Sequence, residues 1–241
     1  NPAGRLPVTF GESIYDYPAN DPDSDRTYPG EDGTVHYDEG VFVGYRHFDA
    51  EEIEPLFEFG HGLSYTDFEY GEVTVEPTDS TLAEGVTVSV DVSNVGDRDG
   101  AEVVQVYVSD VDPAVERPPK ELKGFAKVEI AAGETETAEI ELDAGAFQYW
   151  DPDVEAWTTS GGEFEIMVGA SSRDIKATET VTIASRQYDV NGDGEATVTD
   201  VQALFDDLES DRIQNNPEQF DFNDDGDVTV SDVVALFRDI V

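Results

Sequence analysis

The sequence predicts a mainly β protein that ends in a small α-helical module. Residues 71–184 contain short runs in which apolar and polar residues alternate, separated by turn residues such as Gly96-Asp97 and Pro118-Pro119. Residues 185–241 contain two copies of an Asp- and Gly-rich loop, each followed by apolar residues at helical spacing. Alternation with a period of two is typical of strands with one buried face, whereas spacings of three and four residues are typical of amphipathic helices.

The alternating region predicts an immunoglobulin-like or fibronectin type III-like sandwich. About seven short strands within roughly 110 residues match that architecture. The clearest run is Val86, Val88, Val90 and Val92. We expect the apolar side chains of these strands to face inwards, each contributing about 1.5–3 kcal/mol by burial. The other runs contain Val104, Val106, Val108, Phe125, Val128–Ile130, Ala138, Ile140, Leu142, Phe164, Ile166, Val168, Val181 and Ile183.

Residues 1–70 show little regular periodicity and are rich in Pro, Gly, Asp and aromatic residues. A loop as long as residues 11–36 is unusual inside a compact domain, so we expect this segment to belong to a larger one. The chain begins at Asn1, and its single methionine is Met167. These features suggest a fragment or a processed form.

The composition restricts the partners. The chain has 56 acidic residues against 13 Lys and Arg, a formal net charge of −43 spread along its length. Such a polyanion repels nucleic acid and anionic lipid, so neutral or cationic partners are expected. This charge resembles that of proteins from salt-loving microbes and favours such a source. The alternative interpretation is an ordinary acidic secreted protein. There is no Cys to form disulfides, and no apolar run long enough for a transmembrane helix.

The two Asp-rich loops match a calcium-binding pattern. Calcium takes six to eight oxygen ligands, and a twelve-residue loop supplies them from positions 1, 3, 5, 7, 9 and 12. Position 6 is Gly194 or Gly226, where a left-handed backbone costs least. The predicted ligands of two Ca²⁺ ions are Asp189, Asn191, Asp193, Glu195 through its carbonyl, Thr197, Asp200, and Asp221, Asn223, Asp225, Asp227 through its carbonyl, Thr229, Asp232. Magnesium is the competing ion in brine, but its octahedral preference favours calcium here.

The duplicated loop-helix unit resembles dockerin modules, a paired form of the EF-hand. Position 12 is Asp in both loops, where the usual EF-hand has Glu, and no clear helix precedes the first loop. The apolar residues after the loops predict two short helices that pack on each other, because neither is long enough to be stable alone. These residues are Val201, Leu204, Phe205, Leu208, and Val233, Val234, Phe237, Ile240.

The dockerin resemblance implies binding to a cohesin domain. In that family, loop positions 10 and 11 and the exposed helix face carry much of the recognition. Those positions are Val198-Thr199 and Val230-Ser231 here, and only the second of each pair keeps the hydroxyl commonly seen. Cohesin binding is therefore a hypothesis, and its alternative is an intramolecular module that calcium locks.

Several stretches resemble the C-terminal part of glycoside hydrolase family 3, the β-glucosidases and β-xylosidases. The most specific is PLFEFGHGLSYTDFEYG at 55–71, preceded by GRLPVTF at 4–10 and YDEGVFVGYRHFD at 37–49. The likeness continues with PPKELKGFAKVEI at 118–130 and GGEFEIMVGASSRDI at 161–175. It implies a remnant of an α/β-sandwich domain at 1–70, a fibronectin type III-like sandwich at 71–184, and a dockerin-like module at 185–241.

The resemblance also implies what the parent enzyme does. A family member hydrolyses β-linked glucosides or xylosides with retention, using two carboxylates. Both carboxylates should precede Asn1, so we assign no catalytic residue to this chain and expect it to be inactive alone. Asp38 and Glu39 are an unsuitable pair, since adjacent residues on an extended segment point in opposite directions. The parent is expected to be extracellular and to supply the upstream catalytic domains.

Some aromatic and histidine residues allow two interpretations. His36, His47 and His61 lack metal-ligand spacing, and His61 between two glycines favours a structural turn. Tyr149, Trp150 and Trp157 suit sugar stacking, but their places on strands favour core or interdomain packing. Two other functions stay open at this point: a non-catalytic accessory or scaffolding protein, and a calcium-sensing switch.

Overall fold

A computed structural model describes residues 1–22, 24, 27–77, 79–81, 85–151, 156–158, 161–184, 198–208, 210, 220–223 and 226–240. The chain forms two compact units, Asn1–Ile183 and Ala184–Val241. The boundary predicted at residue 70 lies inside the first unit and stays a prediction. No helix among the described residues is long and apolar enough to cross a membrane.

The amino-terminal segment is built mainly from turns. It contains short 3₁₀ helices at Ile14–Asp16 and Pro18–Asn20, and one α-helix, α1 (Tyr45–Ala50). The first 3₁₀ helix begins with a capping box, in which the Ser13 side chain accepts from the N–H of Tyr15. An antiparallel bridge pairs Phe10 with Phe57, which brings both ends of the segment together.

The rest of the first unit is a sandwich of two sheets with an added hairpin. The strands are β1 (Phe68–Glu76), β2 (Asp79–Thr81), β3 (Val86–Asn94), β4 (Gly100–Asp110), β5 (Glu121–Ile130), β6 (Thr135–Leu142), β7 (Tyr149–Asp151), β8 (Ala156–Thr158), β9 (Gly162–Gly169) and β10 (Ile175–Ala184). One sheet has the strand order β1-β3-β6 and the other β2-β10-β9-β4-β5, while the described residues of β7 and β8 pair with each other. The mainly β architecture predicted from the alternating runs is confirmed.

The core lies between the two sheets. Alternate residues of β3 are buried, and they pack with buried residues of β4, β6, β9 and β10. One predicted inward residue was wrong, because Phe125 is 67% exposed. Ile130 is buried and Val128 half-buried on β5, so the period of two places Phe125 on the outer face. Its neighbour Gly124 takes the inward position, where a side chain would overlap Ile140.

The second unit contains two described α-helices, α2 (Val198–Asp207) and α3 (Val230–Ile240). The expectation that they pack on each other is confirmed, since both contribute to one small core. The predicted apolar stripe was partly wrong: Phe205, Val234 and Phe237 are exposed, and Leu236 is fully buried in their place. Val233 and Leu236 are three residues apart and share a face, whereas Val234 and Phe237 lie one residue further round the helix. The core also contains Leu204, Phe220, Phe222 and Val228.

Candidate functional site

The second Asp-rich loop closes on itself through its acidic side chains. The Asp221 carboxylate accepts a hydrogen bond from the N–H of Gly226 at 2.8 Å. The Asp232 carboxylate accepts from the N–H of Thr229 at 2.7 Å and from the N–H of Asn223 at 3.2 Å. Gly226 has a φ of 90°, the left-handed backbone expected at position 6. Direct contacts thus link position 1 to position 6, and positions 3 and 9 to position 12.

Among the described residues of this loop, Asp232 is the least exposed, at 0% of its accessible surface. A buried carboxylate is costly unless hydrogen bonds and a counter-charge compensate it. Its two backbone donors supply part of that compensation, and a divalent cation would supply the rest. The Asn223 amide nitrogen donates to the Ser231 hydroxyl at 2.8 Å. The donor set of this loop therefore fits a hard cation.

The structure places only some of the predicted ligands. Asp221, Asn223, Asp227, Thr229 and Asp232 lie in the described part of the second loop. Asp200 lies in α2, while Asp189, Asn191, Asp193, Glu195, Thr197 and Asp225 lie outside the described residues. Within the part of the chain that the structure describes, no three or more His, Cys, Asp and Glu side chains form a group that could hold a metal. Asp225, the third side-chain carboxylate predicted for the second ion, is not among the residues searched.

The two helices that follow the loops present matching exposed residues. On α3, Val230, Val234 and Phe237 are exposed at spacings of four and three residues. On α2, the equivalent positions 32 residues earlier include exposed Val198 and Phe205. Since residues at these spacings lie on one side of a helix, α3 carries an apolar stripe away from its packed face, whereas on α2 the polar Gln202 stands between Val198 and Phe205.

The amino-terminal segment is joined to the sandwich by a buried amide, that of Gln105 on β4. Its Nε2 donates to the carbonyls of Ala170 at 2.6 Å and Gly60 at 3.2 Å, and its Oε1 accepts from the Tyr107 hydroxyl at 2.7 Å. Gly60 has a φ of 82°, and a Cβ atom there would overlap the Gln105 amide. This contact explains why glycine stands before His61.

Ion pairs fix the same segment at two further places. Asp49, at the end of α1, binds Lys120 Nζ at 2.6 Å and Arg173 Nε at 2.7 Å. Arg5 binds Glu102 on β4, which also accepts from the Tyr70 hydroxyl at 3.0 Å. Burial raises the pKa of Glu102, and the opposing effects of Arg5 and Tyr70 do not cancel it.

Glu58 links the His61 turn to the loop after β9. Its carboxylate accepts from the Ser171 hydroxyl at 3.0 Å and lies 3.2 Å from Nδ1 of His61. Burial raises the pKa of Glu58, but the hydrogen bonds from its own backbone, Ser171 and His61 lower it further, so the pKa lies below its usual value. These contacts support the structural interpretation of His61.

Comparison with known families matches both parts of the chain. The fibronectin type III-like domain matches residues 102–172, and the dockerin type I domain matches residues 187–240. The chain contains a fibronectin type III-like domain and a dockerin type I domain. The paired loops and packed helices are thus part of a dockerin module, and dockerin type I domains are known to bind calcium.

The relatives of the chain are glycoside hydrolases. It is 45% identical to thermostable β-glucosidase B of Acetivibrio thermocellus over 208 residues, covering 84% of this chain and 27% of that protein. It is 42% identical to an exo-α-(1→6)-L-arabinopyranosidase of Bifidobacterium breve, covering 88% of this chain and 26% of that protein. The solved GH3 β-glucosidase of Bifidobacterium adolescentis superimposes with a TM-score of 0.69 at 43% identity, covering 76% and 26% of the two chains.

The chain therefore spans about a quarter of the length of these relatives and corresponds to the C-terminal portion of the β-glucosidases.

The exposure of the aromatic hairpin, β7–β8, was not predicted from the sequence. Trp150 and Trp157 are 50% and 63% exposed, so the prediction that they pack in the sandwich core was wrong, and their interdomain packing stays a prediction. The short hairpin β7–β8 lies outside both sheets, which explains why its position on strands did not bury them.

Proposed function

We propose that this chain is the C-terminal part of a secreted retaining glycoside hydrolase of family 3 that acts on β-linked glucosides or xylosides. The observation that carries the proposal is the 45% identity to a β-glucosidase, which extends over 208 residues. The catalytic carboxylates would lie in the preceding portion of the parent, and the parent's upstream domains would be the main partner of residues 1–70.

The surface of residues 1–70 supports this partner. Isolated exposed apolar side chains are normal, but many in one short segment mark a surface that another body covers. Phe10 and Phe57, for example, are paired by a backbone bridge, with ring centroids 6.5 Å apart, yet both are exposed. The exposed residues of the segment are Val8, Phe10, Ile14, Tyr15, Tyr28, Val35, Tyr37, Val41, Val43, Leu56, Phe57, Leu63 and Tyr65.

Hydrolysis by the parent protein tests the proposal. We expect the parent to release p-nitrophenol from the β-glucoside or the β-xyloside and the chain alone to release none. The α-L-arabinopyranoside is a necessary third substrate, because one relative is an arabinopyranosidase. Activity on that substrate alone, or none on any of the three, would contradict the proposed substrate class.

We further propose that the dockerin module holds two calcium ions, one in each twelve-residue loop. The buried Asp232 carboxylate supports the second site, because a bound cation would balance its charge. Calorimetric titration should give a stoichiometry of two. Asp232→Asn should weaken the second site by about tenfold or more, whereas Asp227→Asn should not, since position 7 supplies its carbonyl. A stoichiometry below two, or equal effects of the two variants, would argue against these ligands.

A cohesin domain is the proposed partner of the exposed helix faces. The apolar stripe of Val230, Val234 and Phe237, beside the Ser231 hydroxyl, supplies a surface that could be buried on binding. With calcium present, Phe237→Ala should reduce capture by a cohesin from the same source about tenfold or more, and Phe125→Ala on the sandwich should leave it unchanged. Absence of capture by the unaltered chain would instead favour a calcium-locked intramolecular module.

The net charge of −43 supports a source adapted to high salt. Dissolved ions screen repulsion among surface carboxylates, so salt should stabilise the sandwich. The denaturation midpoint of the chain should keep rising with KCl above physiological ionic strength, because the screening length still shrinks there. A midpoint that stays constant above physiological salt would identify an ordinary acidic protein.

A further inference from the structure

Both tryptophans of the chain lie side by side on the hairpin β7–β8. Trp150 and Trp157 are direct cross-strand partners, their ring centroids are 5.9 Å apart, and their planes make an angle of 75°. At least half of each side chain is exposed. We call this pair the tryptophan corner, because one ring presents its edge to the face of the other.

The base of the hairpin is anchored to the sandwich. Phe147, fully buried just before β7, packs edge-on against Phe164 with 5.2 Å between ring centroids. The Arg117 guanidinium lies 6.0 Å from the centroid of the Tyr149 ring. Arg117 is itself held by the Glu121 carboxylate at 2.9 Å and that of Asp110 at 3.4 Å. The corner is thus exposed on a hairpin whose base has fixed contacts, as expected for a preformed binding surface.

The chemistry of the corner fits a sugar ring. Leaving two indoles in water forgoes a large burial energy, and such exposure is usual where a ligand covers the rings. A pyranose presents C–H groups on its flat face and hydroxyls around its edge. Its face can stack on one indole while the N–H of the other donates to a hydroxyl. A perpendicular pair suits one such ring at a time, whereas a run of coplanar rings would suit an extended chain.

The negative charge of the protein narrows the choice among ligands that have flat apolar faces, because it repels anionic ones. A net charge of −43 disfavours nucleic acids and acidic polysaccharides, so a neutral ligand is favoured. We propose that the tryptophan corner binds one glucosyl ring of a neutral β-linked glucan. The choice of a β-linked glucan rests on the proposed function, whereas the assignment of a carbohydrate site rests on the hairpin itself.

Tryptophan fluorescence reports on this site alone, since the chain has no other tryptophan. Titrating the chain with soluble β-linked gluco-oligosaccharides should change its emission, and the chain should sediment with an insoluble β-glucan. Trp157→Ala should weaken binding about tenfold or more, with Trp157→Phe intermediate, whereas Phe125→Ala should bind normally. Equal binding by Trp157→Ala and the unaltered chain, or no binding at millimolar sugar, would overturn the proposal. A urea midpoint equal to that of the unaltered chain would show that Trp157→Ala still folds. If Trp157→Ala does not fold, Trp157→Phe, which keeps an aromatic ring, tests the same contact.

Two outcomes separate this site from other roles of the hairpin. If acrylamide quenches the two indoles of the chain, but replacing both by Phe leaves the quenched emission of the parent enzyme without sugar unchanged, the corner is an interdomain contact and the proposal fails. If the chain binds β-glucan but the parent does not hydrolyse β-glucosides, the corner stands and the proposed function fails. If the parent hydrolyses β-glucosides but the chain binds no β-glucan, the proposed function stands and the tryptophan corner fails as a binding site.

Discussion

The two compact units of this chain are stabilised in different ways. The fibronectin type III-like sandwich buries alternate apolar residues between two sheets, and buried ion pairs join residues 1–70 to it. In its described residues, the dockerin module buries a small apolar core and also a carboxylate, Asp232. Apolar burial needs no ligand, whereas a buried carboxylate needs a compensating charge. The sandwich should therefore be stable without metal, whereas the folding of the dockerin module should depend on bound metal.

Removing calcium should have the largest effect and should act on one unit only. A chelator at constant high salt should abolish the helical circular dichroism of residues 189–241, because helices as short as α2 and α3 are not stable alone. The urea midpoint of the sandwich should stay the same, and added calcium should restore the helical signal. A spectrum unaffected by chelation would show that the small core suffices to fold the module.

Removing an aromatic ring from the sandwich core should destabilise the sandwich and leave the dockerin module unaffected. Phe147 is fully buried against Phe164, so Phe147→Ala should lower the free energy of unfolding by about 3–5 kcal/mol. The matched control is Phe125→Ala, which removes an exposed ring and should change it by about 0.5 kcal/mol or less. Urea denaturation of the sandwich measures both, and similar losses would contradict the burial difference. Calcium binding by the module should be unaffected.

A smaller effect is expected from the ion pairs that hold the amino-terminal segment. Lys120→Met leaves the buried Asp49 carboxylate with Arg173 as its remaining cation, at a cost of about 1–3 kcal/mol. Lys127→Met removes an exposed cation from the same strand, β5, and should change stability little. Urea midpoints compare the two variants, and equal midpoints would mean that the Asp49 contact contributes no stability.

The smallest expected effect is a pH dependence of the sandwich. Burial raises the pKa of Glu121, but Arg117, Lys123 and Arg46 outweigh it and the pKa is lowered. The folded state therefore binds this proton less tightly than the unfolded state, so stability is lost as pH falls below about 4.3. Burial raises the pKa of Glu102, so this carboxylate changes the stability of the sandwich with pH in the opposite direction.

Urea midpoints measured at neutral and acid pH test this sign. Glu121→Gln should flatten the acid-side slope, and the exposed Glu129 on the same strand is the matched control, as Glu129→Gln. A steeper slope in Glu121→Gln would mean that the carboxylate is destabilised and not stabilised by its neighbours.

The sequence predicted those features that depend on local pattern. The alternation of Val86 to Val92 identified β3, and the Asp-Gly spacing identified the left-handed turn at Gly226. The side on which Phe125 and Phe237 lie was predicted wrongly, because both stand next to inward-facing positions and a shift of one residue in the pattern decides exposure. Gln105 was not predicted as a junction residue, since its partners Gly60 and Ala170 are 45 and 65 residues away.

The Gln105 amide has a practical consequence for anyone who trims this protein. A truncation that begins at β1 would remove the Gly60 carbonyl from Gln105, Arg5 from Glu102, and the Tyr45 hydroxyl from the N–H of Leu122. Polar groups that are now satisfied inside the unit would meet water along one side of the sheet. The shortest soluble version of the sandwich should thus retain the turns that precede it, although these turns contribute almost no regular secondary structure.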